Sequence, residues 1–454
     1  MDTAVSATSS PPAAAAAAAP SAPRALNLWL AAYVAVLVGK FSDWIPGLAS
    51  VPLAKMAMLV AVIYAWRARK TLAGVRVRSL PVARPAVAYL SLALLSLAFS
   101  TYLSMTLAQS YGIGVLLVSF VLLVKSTQSL RDVERLLYAL SLAAAGLAVA
   151  AVFGGREYGR AYVSENIDPN DVAYGLVTVL PITRALLVTL KRGRGRLILQ
   201  CLIAAMLIAI LLTGSRGGAL GLGTVILLQV AFPLGFSRSG ELKRFRIGRS
   251  VMVLALIGLL AGGLWGYLPP ESRERMASLL DLGNDYNAGT SSASRSAIWQ
   301  RNTAAALRRP IGYGLGTSEY VDGLTGGAYR ALHNTFVEAL VELGVLGFLL
   351  LCASYLSALR QLGRVSRPGQ RSALGGEAAK ASLYARALRI ALAGNAVSGF
   401  FLSNAYAPML WSVIAICAAL AWIGRELTSS AATAAAAGAP VAPGAAGGAA
   451  GAGG

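Results

Sequence analysis

The chain is short of charge, of acid and of histidine. Only 13% of its 454 residues are charged, against roughly 25% in a soluble protein. So few charges cannot cover a water-exposed surface of this size, but they suffice where lipid covers most of it. Acids number 19 against 40 lysines and arginines, a net charge of +21. On a soluble chain that balance would suggest nucleic acid. Here the bases sit in short clusters between apolar runs, and no basic face with interleaved aromatics occurs, so no nucleic-acid partner is expected. The three cysteines, Cys201, Cys352 and Cys417, fall inside apolar runs. That placement argues against a disulfide or metal site and for small buried hydrophobes. His333 is the only histidine. Asp281 and Asp285 are four apart but have no second histidine or close cluster beside them, so no metal is expected.

What fills the sequence is apolar: 56% of residues are hydrophobic and the mean hydropathy is +0.64. Twelve apolar runs of roughly helix-spanning length stand out. They are 26–44, 51–66, 83–103, 106–124, 133–153, 171–190, 197–213, 217–235, 251–267, 333–354, 384–403 and 407–424. The second is short and opens on Val51-Pro52, as a tilted or interfacial helix would. The pattern predicts an all-α polytopic membrane protein with about twelve transmembrane helices. Residues 1–25, rich in Ala, Pro and Ser, read as a disordered tail without a signal peptide. Residues 427–454, rich in Ala, Gly and Pro, read as a second disordered tail. Helices one to nine fill 26–267, a long loop occupies 268–332, and helices ten to twelve fill 333–426.

Alternating the twelve helices from a cytoplasmic N-terminus places 28 bases and 6 acids on the cytoplasmic side, a net of +22, against −1 outside. A frame error of one helix would mix the two sets, so the charge separation supports cytoplasmic termini and an even helix count. The 268–332 excursion then lies outside and is long enough for structure of its own. It opens Pro269-Pro270-Glu271 and continues helically, then becomes a Gly/Ser/Asn segment over 283–292. An amphipathic helix from about Ser294 to Arg308 and the Gly-rich loop Pro310–Gly316 complete it.

Bases on the outer side run against the topological bias, so each invites a reason. Arg216 lies in Thr213-Gly214-Ser215-Arg216-Gly217-Gly218, a hairpin between apolar helices. Glycines allow a tight turn and close approach of a ligand to the backbone. The following helix N-terminus favours an anion such as phosphate. The competing reading is an arginine that snorkels to the interface. His333, in Leu332-His333-Asn334-Thr335, could exchange a proton near neutral pH, or could simply cap the tenth helix. Glu338 and Glu342 share one face of that helix with Asn334. Acids in a membrane helix face a cavity or a partner, the simplest partner being an arginine.

Taken together these motifs resemble the O-antigen ligase and polymerase superfamily. The segments that carry the likeness are Thr213–Gly218, Arg295-Ser296-Ala297-Ile298-Trp299, Pro310-Ile311-Gly312-Tyr313-Gly314, His333-Asn334-Thr335 and Glu342–Gly347, in that order. Asn166–Asp171 ahead of the sixth helix fits as well. The resemblance is closest to the O-antigen ligases, for the single long outer loop between helices nine and ten. It implies a GT-C-like membrane fold, in which that loop is periplasmic and partly helical, in a bacterial inner membrane. The enzyme would be a metal-independent glycosyltransferase of lipopolysaccharide biosynthesis, with no cofactor. It would move a glycan from undecaprenyl diphosphate to the lipid A-core oligosaccharide, so its partners would be donor, acceptor and membrane lipids. A diphosphate leaving group needs cationic stabilisation, for which the resemblance nominates Arg216 and Arg295, with His333 for the acceptor hydroxyl. Arg160, Arg301 and Asn334 are secondary candidates. An O-antigen or exopolysaccharide polymerase and a protein O-oligosaccharyltransferase are the alternatives within the superfamily. A polysaccharide flippase is the alternative outside it, though no internal repeat supports one.

Overall fold

The computed structural model describes residues 24–45, 47–157, 159–165, 167–236, 262–263, 266, 270–277, 294–366 and 375–436. Nearly all of the ninth apolar run, the 283–292 segment, Asp281, Asp285 and most of both expected tails lie outside the described residues. The described helices are α1 (Arg24–Gly39), α2 (Leu53–Arg67), α3 (Ala83–Leu95), α4 (Leu103–Ser126), α5 (Leu130–Phe153), α6 (Pro169–Thr189) and α7 (Arg194–Leu212). They continue with α8 (Arg216–Ala231), α9 (Pro270–Ala277), α10 (Arg295–Arg308), α11 (Ser318–Leu324), α12 (Thr335–Val365), α13 (Gly375–Gly399) and α14 (Pro408–Ala436), beside a few single turns. A two-stranded ribbon, β1 (Arg156–Glu157) with β2 (Arg160–Ala161), sits between α5 and α6.

Eleven of the twelve apolar runs coincide with one of these helices. By length and composition six can cross a membrane: α4, α5, α6, α7, α12 and α14. A seventh is added if the 69–79 and 83–98 helical pieces, bent by 93°, form one broken span. In hydrocarbon a backbone must satisfy its own polar groups, which is why such runs close into helices. Several boundaries differ from expectation: α12 runs past its apolar run to Val365, α13 starts ahead of its run at Gly375, and both tails are shortened. Helix α1 already begins at Arg24 and α14 runs on to Ala436, so each expected tail gives up some residues to a helix.

Helices α6 and α14 form the interior. Of their apolar stretches 78% and 83% are buried within the protein, against 22% for α7. Trp411 of α14, fully buried, stacks on Tyr89 of α3 with ring centroids 5.0 Å apart. Helix α6 packs against α5, α7, α8 and α13. Small residues let α8 cross α13 closely, where a Cβ at Gly221 would lie 3.0 Å from the Gly394 carbonyl oxygen and closer still to Ser398. Hydrogen bonds add specificity: Tyr355 Oη donates to Asn395 at 2.6 Å, and Asn395 Nδ2 donates to Thr178 at 2.9 Å. Each such bond contributes about 0.6 kcal/mol in a membrane interior.

Helix α12 is broken at Gly344, whose φ of +68° no other residue adopts readily. The Pro310–Gly316 loop fills the break. Tyr313 N donates to Val341 O, Gly314 N to Glu342 O, and Val345 N to Pro310 O, at 2.9–3.0 Å. The carbonyls freed by the break are thereby satisfied, as buried backbone requires. The Glu342 carboxylate accepts from Gly316 N at 2.9 Å and Ser318 N at 3.3 Å, and Glu338 accepts from Ala405 N at 2.9 Å. Arginine was the expected partner of both acids; the partners found are backbone amides. The loop also docks on the α3–α4 turn, where Thr106 Oγ1 donates to Leu315 O at 2.8 Å and Arg309 Nη2 to Phe99 O at 2.7 Å.

Candidate functional site

Four helices begin close together, and each opens on one of the motif segments. Asp168 caps α6, its Oδ1 accepting from Asn170 N at 2.6 Å. Ser215 caps α8 and accepts from Gly218 N at 3.1 Å. Ser294 caps α10 and accepts from Ala297 N at 3.2 Å. Asn334 caps α12 and accepts from Phe336 N and Val337 N at 3.0 and 3.1 Å. The side chain of Asn334, a secondary candidate, is thus committed to its helix. Helix N-termini carry partial positive charge, so their convergence favours an anion.

Bridges hold the four ends in place. The Arg160 guanidinium donates from Nε to Thr213 O at 2.8 Å and from Nη2 to Asn170 Oδ1 at 2.9 Å, joining the α7–α8 turn to the start of α6. Trp299 of α10 donates to Leu332 O at 2.7 Å and so ties α10 to the approach to α12. The α13–α14 connection closes the remaining side. Its Ser403 Oγ accepts from His333 N at 2.9 Å, its Leu402 O accepts from Thr335 Oγ1 at 2.7 Å, and Asn404 Nδ2 donates to Asp171 at 3.3 Å.

Arg216 is the first residue of α8 and half-buried, and Arg295 is the first of α10 and half-buried. His333 lies two residues before α12 rather than within it, at φ +48°. Burial holds its imidazole below the ordinary value of 6.5; nearby Arg295 pushes the same way, and Asp168 partly opposes them. The ring is therefore neutral at pH 7 and able to accept a proton. Asp168 and Arg295, more than a hundred residues apart in sequence, both act electrostatically on His333.

Arg301 stands apart from this group. Its Nη2 contacts the fully buried Asp322 at 2.8 Å, and Asn302 donates to the same carboxylate oxygen at 3.2 Å. These contacts stitch α10 to α11. The Gly217-Gly218 pair also has a packing part. A Cβ at Gly217 would lie 2.8 Å from Phe401 Cβ, and one at Gly218 would lie 2.5 Å from Ala173 Cβ. These glycines let α8 approach α6 and the α13–α14 connection. Gly214, at φ +58°, makes the turn.

Several residues here escaped the sequence reading. Ser403, Asn404 and Phe401 carried no motif; their signal was the short polar break between the last two apolar runs. Lys40, just past the C-terminal end of α1, interacts electrostatically with Asp171. Among the described residues no three His, Cys, Asp or Glu side chains are grouped as metal ligands would be.

No curated protein matches the chain. The family model described as O-antigen ligase matches residues 201–352, a segment that holds Arg216, Arg295 and His333 and ends before the α13–α14 connection. Over that segment, about a third of its length, the chain is similar to the O-antigen ligase family.

Proposed function

We propose that the protein is an O-antigen ligase of a bacterial inner membrane, with a GT-C-like frame, cytoplasmic termini and a periplasmic site. It transfers a glycan from undecaprenyl diphosphate to a hydroxyl of the lipid A-core oligosaccharide. The observation that carries this reading is the convergence of four capped helix N-termini around Arg216, Arg295 and a neutral His333.

The bond broken joins the donor sugar's anomeric carbon to a phosphate oxygen, and the departing diphosphate takes the electron pair. Arg216 and Arg295 stabilise that developing charge, and a guanidinium fork suits phosphate oxygens. The acceptor hydroxyl oxygen forms the new bond to the anomeric carbon, and His333 orients it and takes its proton. The donor arrives already activated by its diphosphate, so neither nucleotide sugar nor metal ion enters the scheme. Arg160 holds the Arg216-bearing turn in register through Thr213, while Arg301 and Asn334 support the loop and helix that present Arg295 and His333.

Arg216→Ala should lower transfer by about two to three orders of magnitude, as loss of a charge-stabilising donor does, with protein level unchanged. Full glycan capping of lipid A-core by that variant would remove Arg216 from the phosphate role. A glycan assay on membranes separates neighbouring readings. Loss of a ligase leaves core lipid uncapped, loss of a polymerase leaves single repeats attached, and loss of a flippase strands the donor on the cytoplasmic face.

A further inference from the structure

The sequence from Trp44 to Arg131 holds no acid. Within it, Arg67, Arg69, Lys70, Arg76, Arg78 and Arg84 are all exposed. They alternate with an apolar edge, Leu72, Val75, Val77 and Leu80, that is at most 8% exposed. The segment is thus amphipathic, apolar toward the protein and basic outward. Its helical part, 69–79, turns 93° from the 83–98 piece that follows. An element perpendicular to a span lies along the membrane surface.

Its neighbourhood identifies what it faces. Met56, Leu59, Ile63 and Trp66 of α2 are 54%, 61%, 43% and 70% exposed and recur at helical spacing, so they form one apolar stripe. The stripe ends at Trp66, over whose ring the Arg69 guanidinium sits 5.0 Å from the centroid. An exposed tryptophan at the end of an apolar face marks the headgroup level. The basic side chains begin where hydrocarbon ends, at the depth of lipid phosphates. The far end of α3 reaches the turn that receives the Pro310–Gly316 loop, so this surface lies at the opposite end of the bundle from His333.

We propose that residues 67–84 form a binding surface for the headgroups of anionic phospholipids in the leaflet opposite the His333 site. Phosphate charge meets Arg69, Lys70, Arg76 and Arg78, while Trp66 and the buried edge hold the segment at the required depth. The surface is independent of the glycan-transfer reading and stands or falls separately from it.

The test uses the full chain in nanodiscs of phosphatidylcholine with or without phosphatidylglycerol. Parent protein is compared with Arg69→Gln/Lys70→Gln/Arg76→Gln/Arg78→Gln and with Arg69→Lys/Arg76→Lys/Arg78→Lys. Native mass spectrometry counts the phosphatidylglycerol retained. Neutralisation should weaken retention by about tenfold or more, since each base near an anionic surface contributes to attraction, while the lysine variant should retain it. Equal retention by parent and glutamine variant overturns the proposal. So does a parent that shows no preference for phosphatidylglycerol but takes up an acidic protein instead. Should the glutamine variant fail to fold, a salt series on the parent decides. Phosphatidylglycerol retention must fall as salt screens the charges, and retention insensitive to salt overturns the proposal.

Discussion

His333 is the only imidazole in the chain, so its titration can be followed as one resonance without assignment. Burial and Arg295 hold it below 6.5, and Asp168 pulls the other way. Removing the cation in Arg295→Met should raise the pKa, and removing the anion in Asp168→Asn should lower it further. Histidine-labelled protein titrated by NMR should therefore rank Asp168→Asn lowest, parent next and Arg295→Met highest; superimposable parent and Arg295→Met curves would sink the proximity argument. A base depressed in this way also fixes the pH dependence of transfer. Activity should decline on the acid side with a midpoint below 6.5, as the ring protonates. At this scale the sequence was informative about identity and poor about partners. Arg216 and His333 stood out as polar residues at the ends of apolar runs, and Arg295 only through the motif segment that carries the resemblance. The amides that receive Glu338 and Glu342 could not stand out, because every residue but proline has one.

Helix ends and crossings decide the geometry at the next scale. The start of α8 is pressed against Phe401, where a Cβ on Gly217 would come within 2.8 Å of Phe401 Cβ. Gly217→Ala should therefore destabilise the protein by about 1–3 kcal/mol, the usual cost of overpacking. Phe401→Gly, which removes the Cβ itself, should recover part of that loss in the same chain. Thermal midpoints of the two single variants and the double variant measure the coupling; strict additivity would mean the contact is absent. The glycine pair was visible in the sequence, but its purpose was not. A Gly-Gly after a turn serves ligand approach and helix approach equally well, and only Phe401 and Ala173, far along the chain or on another helix, distinguish them. The break in α12 was hidden for a related reason. Gly344 sits inside a continuous apolar run, and its φ of +68° depends on a loop some thirty residues upstream.

For the molecule as a whole, the long apolar runs were the most legible feature, because lipid imposes a length on every crossing helix. The orientation rests on charge and can be checked directly. In a chain with its three cysteines replaced, Tyr329→Cys should react with an impermeant thiol reagent on intact cells. Lys70→Cys should react only after the inner membrane is opened. The reverse pattern would invert the topology and move the site to the cytoplasm. The α13–α14 connection was the part of the site least legible in sequence, since it lies beyond the matched segment and works through Ser403, Asn404 and a main-chain carbonyl. The splice of Pro310–Gly316 into the gap of α12 makes those two stretches share one reading frame. Removing a residue from either would slide every amide past its carbonyl and take Glu342 from its partners. Chain added beside the exposed Tyr329 leaves that frame untouched. The loop thus has a place that can take added length, and a place that cannot.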